Sequence, residues 1–333
     1  MKCLIRVLMA GALSLLGITA NAQSYPSKPI TFVVPFGPGS GSDLIARIVG
    51  QRLGAVLGQS VIVENKPGAN GAIAAVQVAR SAPDGYTIFL ASNTPMSAAP
   101  SLNKSISYDP IKDFIGLCRI GSFTQLLLVH PDIPAKSIQE LVAYAKANPG
   151  KLSFASANAS SVVAGETLKR TAGLDLLHVP YRSSVPAVQD VLGGRVSMLF
   201  TDMATGLAHH RSGALRGLAT TRLKRSALVP DLPTLDESGV TGFDMDSWAA
   251  FFLPANTPRD IVIRLNTELR KIIDNPEVKA QIAATGFEAF SSSPEELDAF
   301  NKAQLVKWTK MIKDAYPARI RQGPGAGFFG VMV

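Results

Sequence analysis

The stretch from Ile30 to Gly50 limits the possible folds of this chain more than any other. Residues 30–34 are apolar or β-branched and are typical of a buried strand, which ends at Pro35 because proline cannot continue the ladder inside a sheet. A loop rich in glycine and serine follows, and apolar residues then recur at helical spacing from Leu44 to Leu57. The pattern predicts a strand, a tight loop and a helix, the repeating unit of α/β folds.

The loop of this unit is suited to holding an anion. The first turn of a helix leaves backbone N–H groups unpaired and carries partial positive charge. Glycines allow close approach to the backbone, and Ser40 and Ser42 add hydroxyl groups, so a carboxylate or a phosphate fits there. The same residues are equally consistent with a plain loop in which Ser42 or Asp43 caps the helix. The loop alone does not decide between these interpretations.

The N-terminus has the pattern of a secretory signal peptide, residues 1–22. Lys2 and Arg6 form a basic start, residues 8–18 an apolar stretch, and Ala20-Asn21-Ala22 a cleavage site of small residues. The apolar stretch is too short for a membrane span. We therefore expect cleavage near Ala22 and a periplasmic protein.

Composition narrows the function further. Without the signal peptide the chain carries 31 basic and 25 acidic residues, a formal net charge of +6, and the basic residues are scattered. This argues against a nucleic-acid partner and favours small anionic ligands. The one cysteine of the mature chain, Cys118, lies among apolar residues, which predicts a buried and unreactive thiol.

The order of the predicted segments indicates two α/β lobes. After the first unit come two more strands with helices between them, which predicts parallel pairing. A second set of strands and helices runs from 152 to 200, and the chain then returns towards its beginning. Because ligands bind at the carboxyl ends of parallel strands, the loops at 36–43 and 91–94 are expected to converge beside a cleft between the lobes.

No pattern of catalytic or metal-binding residues stands out. His209 and His210 are neighbours, and adjacent residues do not share a helix face. The glycine loop lacks the third glycine of a dinucleotide fingerprint, and the P-loop and G-x-S-x-G patterns are absent. Asp43 and Asp202 suit capping better than acid–base catalysis. We expect no metal, no cofactor and no enzymatic activity.

A series of motifs then runs in order from about residue 25 to about residue 315. The motifs are YPSKPI at 25–30, PFGPGSGSD at 35–43, VENKPGA at 63–69, APDGYT at 82–87, YDPIKDF at 108–114, AGETLK at 164–169 and HVPYR at 178–182. Together they resemble the periplasmic substrate-binding proteins of tripartite tricarboxylate transporters, the Bug family. The resemblance implies an α/β fold of the type II periplasmic binding protein class, with two lobes and a ligand cleft between them, a Venus flytrap.

The resemblance also implies a ligand site shared by the two lobes. One carboxylate group of a small solute would be held by backbone amides and ordered waters between facing loops. In the first lobe the implied ligand-binding residues are Phe36, Gly37, Pro38, Gly39, Ser40, Gly41, Ser42, Asp43 and Ser92. In the second lobe they are Ser156, Asn158, Ser160, Tyr181, Arg182, Ser183 and Asp202. Tyr181 and Arg182 are equally consistent with surface residues that line the contact between the lobes.

Three features depart from the family's pattern. Ser40 replaces a glycine and places a side chain close to the anion. Ser183 and Ser184 stand where the family usually has glycine, which narrows the site or changes the group that is recognised. The segment 316–333 looks unrelated to the family, and we expect it to be disordered or the product of an altered reading frame.

These observations lead to the following expectations. Lobe I comprises residues 23–122 and 221–315, and lobe II comprises 123–220. The protein is a monomer that captures a small carboxylate and delivers it to the membrane permease subunits of a tripartite tricarboxylate transporter. The alternative is a ligand-bound periplasmic sensor that docks onto a two-component signalling receptor. The sequence leaves the identity of the carboxylate open.

Overall fold

The computed structural model describes residues 25–103 and 105–315. The predicted signal peptide at 1–22 and the atypical segment at 316–333 lie outside the described residues. Within them the strands form one six-stranded and one five-stranded sheet, with helices packed on both. No helix of this part is both long and apolar enough to cross a membrane.

The first sheet collects strands from both ends of the chain. Its strands are β1 (Ile30–Val34), β2 (Val61–Asn65), β3 (Thr87–Ser92), β4 (Phe114–Phe123), β10 (Ser247–Pro254) and β11 (Glu288–Ala289). Their order across the sheet is β11-β4-β10-β3-β1-β2. β1 pairs in parallel with β2 and with β3, which confirms the predicted parallel pairing. Apolar residues on both faces of β1 are buried, as expected of a strand covered by helices on two sides.

The second sheet is built from the middle of the chain. Its strands are β5 (Gln125–Val129), β6 (Leu152–Ser156), β7 (Leu176–Pro180), β8 (Met198–Asp202) and β9 (Arg216–Thr220). Their order is β7-β6-β8-β5-β9, with β6 parallel to β7 and to β8. The carboxyl ends of β6, β7 and β8 therefore lie at one edge, as do those of β1, β2 and β3 in the first sheet.

The helices connect and cover the strands. They are α1 (Gly41–Leu57), α2 (Ala72–Ala79), α3 (Ala99–Leu102), α4 (Ile138–Ala147), α5 (Ala159–Ala172), α6 (Ser184–Leu192), α7 (Met203–Arg211), α8 (Arg259–Asp274), α9 (Pro276–Ala284) and α10 (Pro294–Ala315). A 3₁₀ turn at Ala69–Gly71 and a π-helical turn at Thr94–Ala98 complete the description. α7, α9 and the π-helical turn were not predicted.

The chain crosses between the sheets at the end of β4 and again between β9 and β10. The C-terminal helix α10 contacts both cores: Leu297 packs with the residues of the first sheet, whereas Trp308 and Ile312 pack with those of the second. This two-lobe α/β architecture, with more than one crossing, is the predicted fold. The exact lobe boundaries stay a prediction.

Candidate functional site

The loops at the carboxyl ends of the parallel strands meet in one cleft between the sheets. Its inner end is a cavity of about 20 Å³, which we call the inner cavity, and it adjoins an outer cavity of about 300 Å³. Phe36 and Asn158 line both cavities. Residues from 36–43 and from 91–94 line the inner cavity together, so the predicted convergence of these loops is confirmed.

The first-lobe loop is organised by two side chains. Ser40 caps α1: its backbone is extended, and its Oγ accepts a hydrogen bond from the Asp43 N–H at 3.3 Å. The prediction that Ser42 or Asp43 is the cap was therefore wrong. Gly39 has a φ of +78°, a backbone conformation that favours glycine. The Asp43 carboxylate accepts from the Gly39 N–H at 2.9 Å, and so ties the loop to the first turn of the helix.

Asp43 itself is directed into its own lobe. It accepts hydrogen bonds from Arg47 Nε at 3.1 Å and from Asn65 Nδ2 at 3.0 Å, and it lines neither cavity. Burial raises the pKa of this carboxyl, but the hydrogen bonds from Arg47, Gly39 and Asn65 outweigh that effect and lower it. Asp43 is thus a charged tether of the loop.

The second lobe presents the beginning of α5. Asn158 and Ser161 form a reciprocal capping box: Asn158 Oδ1 accepts from the Ser161 N–H at 2.9 Å, and Ser161 Oγ accepts from the Asn158 N–H at 3.1 Å. Ser160, one position earlier, bridges the lobes. Its Oγ accepts from Asn93 Nδ2 at 2.7 Å and from Ser247 Oγ at 2.9 Å. These contacts close the inner end of the cleft.

Asp202 ends β8 and caps α7. Its Oδ1 accepts from the Thr205 N–H at 3.0 Å and from Thr205 Oγ1 at 2.8 Å. Its Oδ2 lies 3.4 Å from the Ser184 hydroxyl. The side chain is almost fully buried, and this burial raises the pKa of the carboxyl despite the hydrogen bonds. Asp202 is the one ionisable residue among those that line the inner cavity.

The N-termini of several helices line the inner cavity. Four helices of the described part, α1, α5, α6 and α7, contribute residues of their first turn or their cap to its lining. Their free N–H groups and dipoles create a positive potential. Hydroxyl side chains add donors, namely those of Ser40, Ser42, Ser92, Thr94, Ser160 and Ser184. Such a cavity favours a negatively charged or strongly polar group.

The outer cavity is wider, and its lining combines apolar side chains with polar ones. Pro67, Ile73 and Val162 contribute apolar surface, together with the backbone of 68–71. Tyr181 also lines it, while its hydroxyl donates to Asp190 at 2.6 Å. Burial and this carboxylate raise the pKa of Tyr181 to about 12, so the phenol remains neutral.

The predicted ligand-binding residues differ in which of the two cavities they line. Ser40, Gly41, Ser42, Ser92, Ser160 and Asp202 line the inner cavity; Phe36 and Asn158 line both; Ser156, Tyr181 and Arg182 line the outer one. Gly37, Pro38, Gly39, Asp43 and Ser183 line neither. Gly37 and Ser183 instead face each other across the cleft, because a Cβ built on Gly37 would lie 3.1 Å from the Ser183 Cβ.

The prediction missed several lining residues. Met203, Ala204 and Thr285 of the inner cavity and residues 68–71 of the outer one were not predicted, whereas Asn93, Thr94 and Ser184 lie at positions that the sequence had singled out without naming them as ligand-binding residues. The position of 68–71 directly after a parallel strand is the signal that could have identified it. His178 stacks on Phe154 and contacts the Ser156 hydroxyl at 2.6 Å. In the part of the chain described, no group of three or more acidic, histidine or cysteine side chains is arranged to hold a metal ion.

Comparison with known proteins agrees with this architecture. The model of the "Tripartite tricarboxylate transporter family receptor" matches residues 45–316. The UPF0065 protein in the tcbD-tcbE intergenic region of a Pseudomonas species is 36% identical over 313 residues, covering 92% of this chain and 93% of that protein. Protein BugT of Bordetella pertussis is 33% identical over 303 residues, covering 90% and 93%.

Solved structures give the same result. Periplasmic binding protein BugD superposes with a TM-score of 0.83 at 35% identity, covering 87% of this chain and 98% of BugD. An R. palustris protein solved with adipate has a TM-score of 0.84 at 30% identity, and its coverage is the same. MatC from Rhodopseudomonas palustris, solved with bound malate, has a TM-score of 0.81 at 28% identity, covering 86% and 100%. The chain therefore belongs to the tripartite tricarboxylate transporter receptor family, the family of Bug periplasmic solute-binding proteins.

Proposed function

We propose that this protein captures a small carboxylated compound in the periplasm and delivers it to a membrane permease of the tripartite tricarboxylate type. The observation that carries the proposal is the convergence of four helix starts and several hydroxyl groups on the inner cavity. Relatives of the same fold were solved with adipate and with malate, both of which are carboxylates. No observation favours the alternative role as a docked sensor.

The proposed binding mode follows from the sizes of the two cavities. The outer cavity, about 300 Å³, has room for the carbon skeleton of a small acid, whereas the inner cavity, about 20 Å³, has room for one small polar group. The carboxylate of the ligand would lie where the cavities meet, beside Phe36 and Asn158. At this place the ligand carboxylate would lie in the positive potential of the helix N-termini and close to the Ser40 and Ser42 hydroxyls.

The predicted residues outside the cavities would act indirectly. Gly37, Pro38 and Gly39 shape the loop, Asp43 ties it down, and Ser183 meets it from the opposite lobe. Arg182 is exposed at the outer cavity and would reach a second acidic group of a longer ligand. Closure would be a hinge motion at the two chain crossings, with release following reopening. We retain the expected export through the signal peptide and the expected monomeric state as parts of the proposal.

A ligand screen tests the proposal. The mature chain is heated with a panel of small mono-, di- and tricarboxylates, with their amides and inorganic phosphate as controls, and hits are titrated by calorimetry. A compound that binds only the folded state stabilises it by about 2.7 kcal/mol at a hundredfold excess over its Kd. We expect the melting temperature to rise with certain carboxylates and not with their amides. Refolded protein without a shift from any carboxylate would contradict carboxylate capture.

A charge placed in the cleft provides a second test. Ser42 is 7% exposed and lines the inner cavity, so Ser42→Asp puts a carboxylate where the anion is held. We expect at least a hundredfold loss of affinity by calorimetry for every carboxylate that binds. Ser60→Asp adds the same charge at an exposed position outside both cavities and should leave affinity unchanged. Equal affinities of folded Ser42→Asp and wild-type protein would show that the ligand lies elsewhere.

Delivery needs its own experiment. Proteoliposomes that contain the membrane subunits of a tripartite tricarboxylate transporter for the same ligand should take up labelled ligand only when the loaded protein is added. Uptake that is independent of this protein would contradict the delivery step and leave the capture step standing.

A further inference from the structure

The inner cavity contains an acidic side chain that an anion site does not need. Asp202 is 8% exposed and lines the cavity beside the start of α1, since its Oδ1 lies 3.4 Å from the position of a Cβ on Gly41. The side chains that donate hydrogen bonds to it, those of Thr205 and Ser184, are uncharged, and no charged neighbour among the described residues shifts its pKa. A carboxylate thus lies next to the place where a ligand carboxylate is proposed to bind.

The two oxygens of Asp202 differ in their partners. Oδ1 has two good donors, both from Thr205, at 3.0 and 2.8 Å. Oδ2 accepts from the Ser184 hydroxyl at 3.4 Å, which is a long and weak hydrogen bond, and the backbone N–H of Asp202 itself also acts on the carboxylate. A buried carboxylate oxygen without a strong donor is costly, and a donor supplied by the ligand would stabilise it.

We infer that Asp202 selects ligands that carry a hydrogen-bond donor, a hydroxyl or an ammonium group, on the carbon next to the bound carboxylate. The inference rests on the proposed function. The hydroxyl or ammonium group of the ligand occupies the inner cavity and donates a hydrogen bond to Asp202 Oδ2. The carboxylate of the ligand faces the helix N-termini. An acid without such a donor leaves two carboxylates close together in a buried site with no cation between them, and is therefore bound more weakly.

Matched pairs of acids test this inference by calorimetry. The pairs are lactate and propionate, malate and succinate, and 2-hydroxyglutarate and glutarate, with aspartate as the ammonium counterpart of succinate. In each pair that binds, the wild-type protein should prefer the acid with the donor by at least tenfold, the ratio that 1.4 kcal/mol produces. Asp202→Asn keeps the size and the capping oxygen and should reduce that preference at least fivefold.

Asp43→Asn is the matched control. Asp43 is also a buried acid at the start of a helix, but its oxygens bind Gly39, Arg47 and Asn65 within the first lobe. This variant should weaken both acids of a pair by the same factor and leave their ratio unchanged. The measured quantity is the ratio of the two affinities within a pair. A partial loss of stability in either variant lowers both affinities alike and therefore leaves this ratio unchanged.

The outcomes separate this inference from the proposed function. If no carboxylate binds, the proposed function fails. If carboxylates bind but the wild-type protein shows no preference within any pair, or Asp202→Asn keeps the preference, the inference is overturned. Titrations in two buffers of different ionisation enthalpy measure proton uptake. Uptake of a proton with succinate or glutarate that disappears in Asp202→Asn would overturn it as well, because Asp202 would then be neutralised by a proton and not by a ligand donor.

Discussion

At the scale of single residues, Cys118 shows how burial controls chemistry. It lies in β4 with no exposed surface, and burial raises the pKa of its thiol to about 12. Since the thiolate is the reactive form, the native protein should hardly react with an aromatic disulfide reagent at pH 8. We expect labelling within minutes in denaturant and none over an hour without it. Ser60→Cys, at an exposed position, should be labelled quickly in the folded state; native Cys118 reacting at the same rate would contradict this.

The burial of Cys118 was predictable because most residues of its strand, such as Leu117 and Ile120, are apolar. The helix cap at Ser40 was not. Gly39, Ser40, Gly41 and Ser42 are all common near helix starts, and the cap is the residue whose backbone stays extended, here Ser40 with φ −70° and ψ 159°. Which residue stays extended and caps the helix depends on the hydrogen bond between the Asp43 carboxylate and the Gly39 N–H, and on contacts with the second lobe. Neither is visible in the local sequence.

At the scale of elements, the loop after β1 and the loop after β7 meet at Gly37 and Ser183. A Cβ on Gly37 would lie 3.1 Å from the Ser183 Cβ and 3.2 Å from its Oγ, closer than ordinary contact. Gly37→Val should therefore hold the lobes apart and weaken ligand binding by about tenfold, in line with the cost of an overpacked contact. Calorimetry measures the affinity, and small-angle scattering measures the compaction on adding ligand.

A compensating change serves as the control for this prediction. Ser183 makes no side-chain hydrogen bond to the start of α6, so Ser183→Gly removes the opposing atoms at little cost. The double variant should recover at least part of the lost affinity and compaction. If Gly37→Val binds as tightly as the wild-type protein, or if Ser183→Gly does not improve it, these loops do not form the closing contact.

The elements themselves were predicted unevenly. Strands β1 and β3, their parallel order, and helix α8 could be predicted because long apolar or amphipathic patterns determine them. α7 was missed: it is short, its sequence has little amphipathic character, and it depends on the Asp202 cap. The π-helical turn at Thr94–Ala98 was missed because it is fully buried and is maintained by tertiary packing. These two of the missed elements line the inner cavity, so the site was predicted less completely than the fold.

At the scale of the whole molecule, the crossing between β9 and β10 contains a half-buried cluster of charged side chains. Asp246 Oδ1 lies 3.7 Å from Arg222 Nε and is buried without a hydrogen-bond partner among the described residues. Arg119 and Lys307 approach the same carboxyl, and Asp244 adds a like charge. Burial raises the pKa of Asp246 to about 6, although the three cations oppose the shift. The crossing therefore carries a carboxyl group that titrates at mildly acidic pH.

This cluster predicts how stability depends on pH. The pKa of Asp246 is higher in the folded than in the unfolded chain, so the folded state takes up its proton first as pH falls. Asp246 thus destabilises the protein above about pH 6, by an amount of the order of 1 kcal/mol once solvent screening is considered, and this penalty disappears towards pH 4. Relative to Asp246→Asn, the wild-type protein should gain stability as pH falls from 7.5 to 4.5.

Denaturant unfolding of the two proteins at four pH values across this range measures the difference between their free energies of unfolding. Carboxyls with a lowered pKa, such as Asp43, stabilise the protein at neutral pH and lose this contribution below about pH 4. Their contribution is the same in both proteins and therefore cancels in the difference. Asp231→Asn is the control: this carboxyl is exposed and is not among the charges that act on Asp246, so its variant should follow the wild-type profile. A constant difference between the wild-type protein and Asp246→Asn would mean that the hinge carboxyl is ionised throughout. The attraction between Arg222 and the Asp246 carboxylate would then outweigh the effect of burial on the pKa at the crossing.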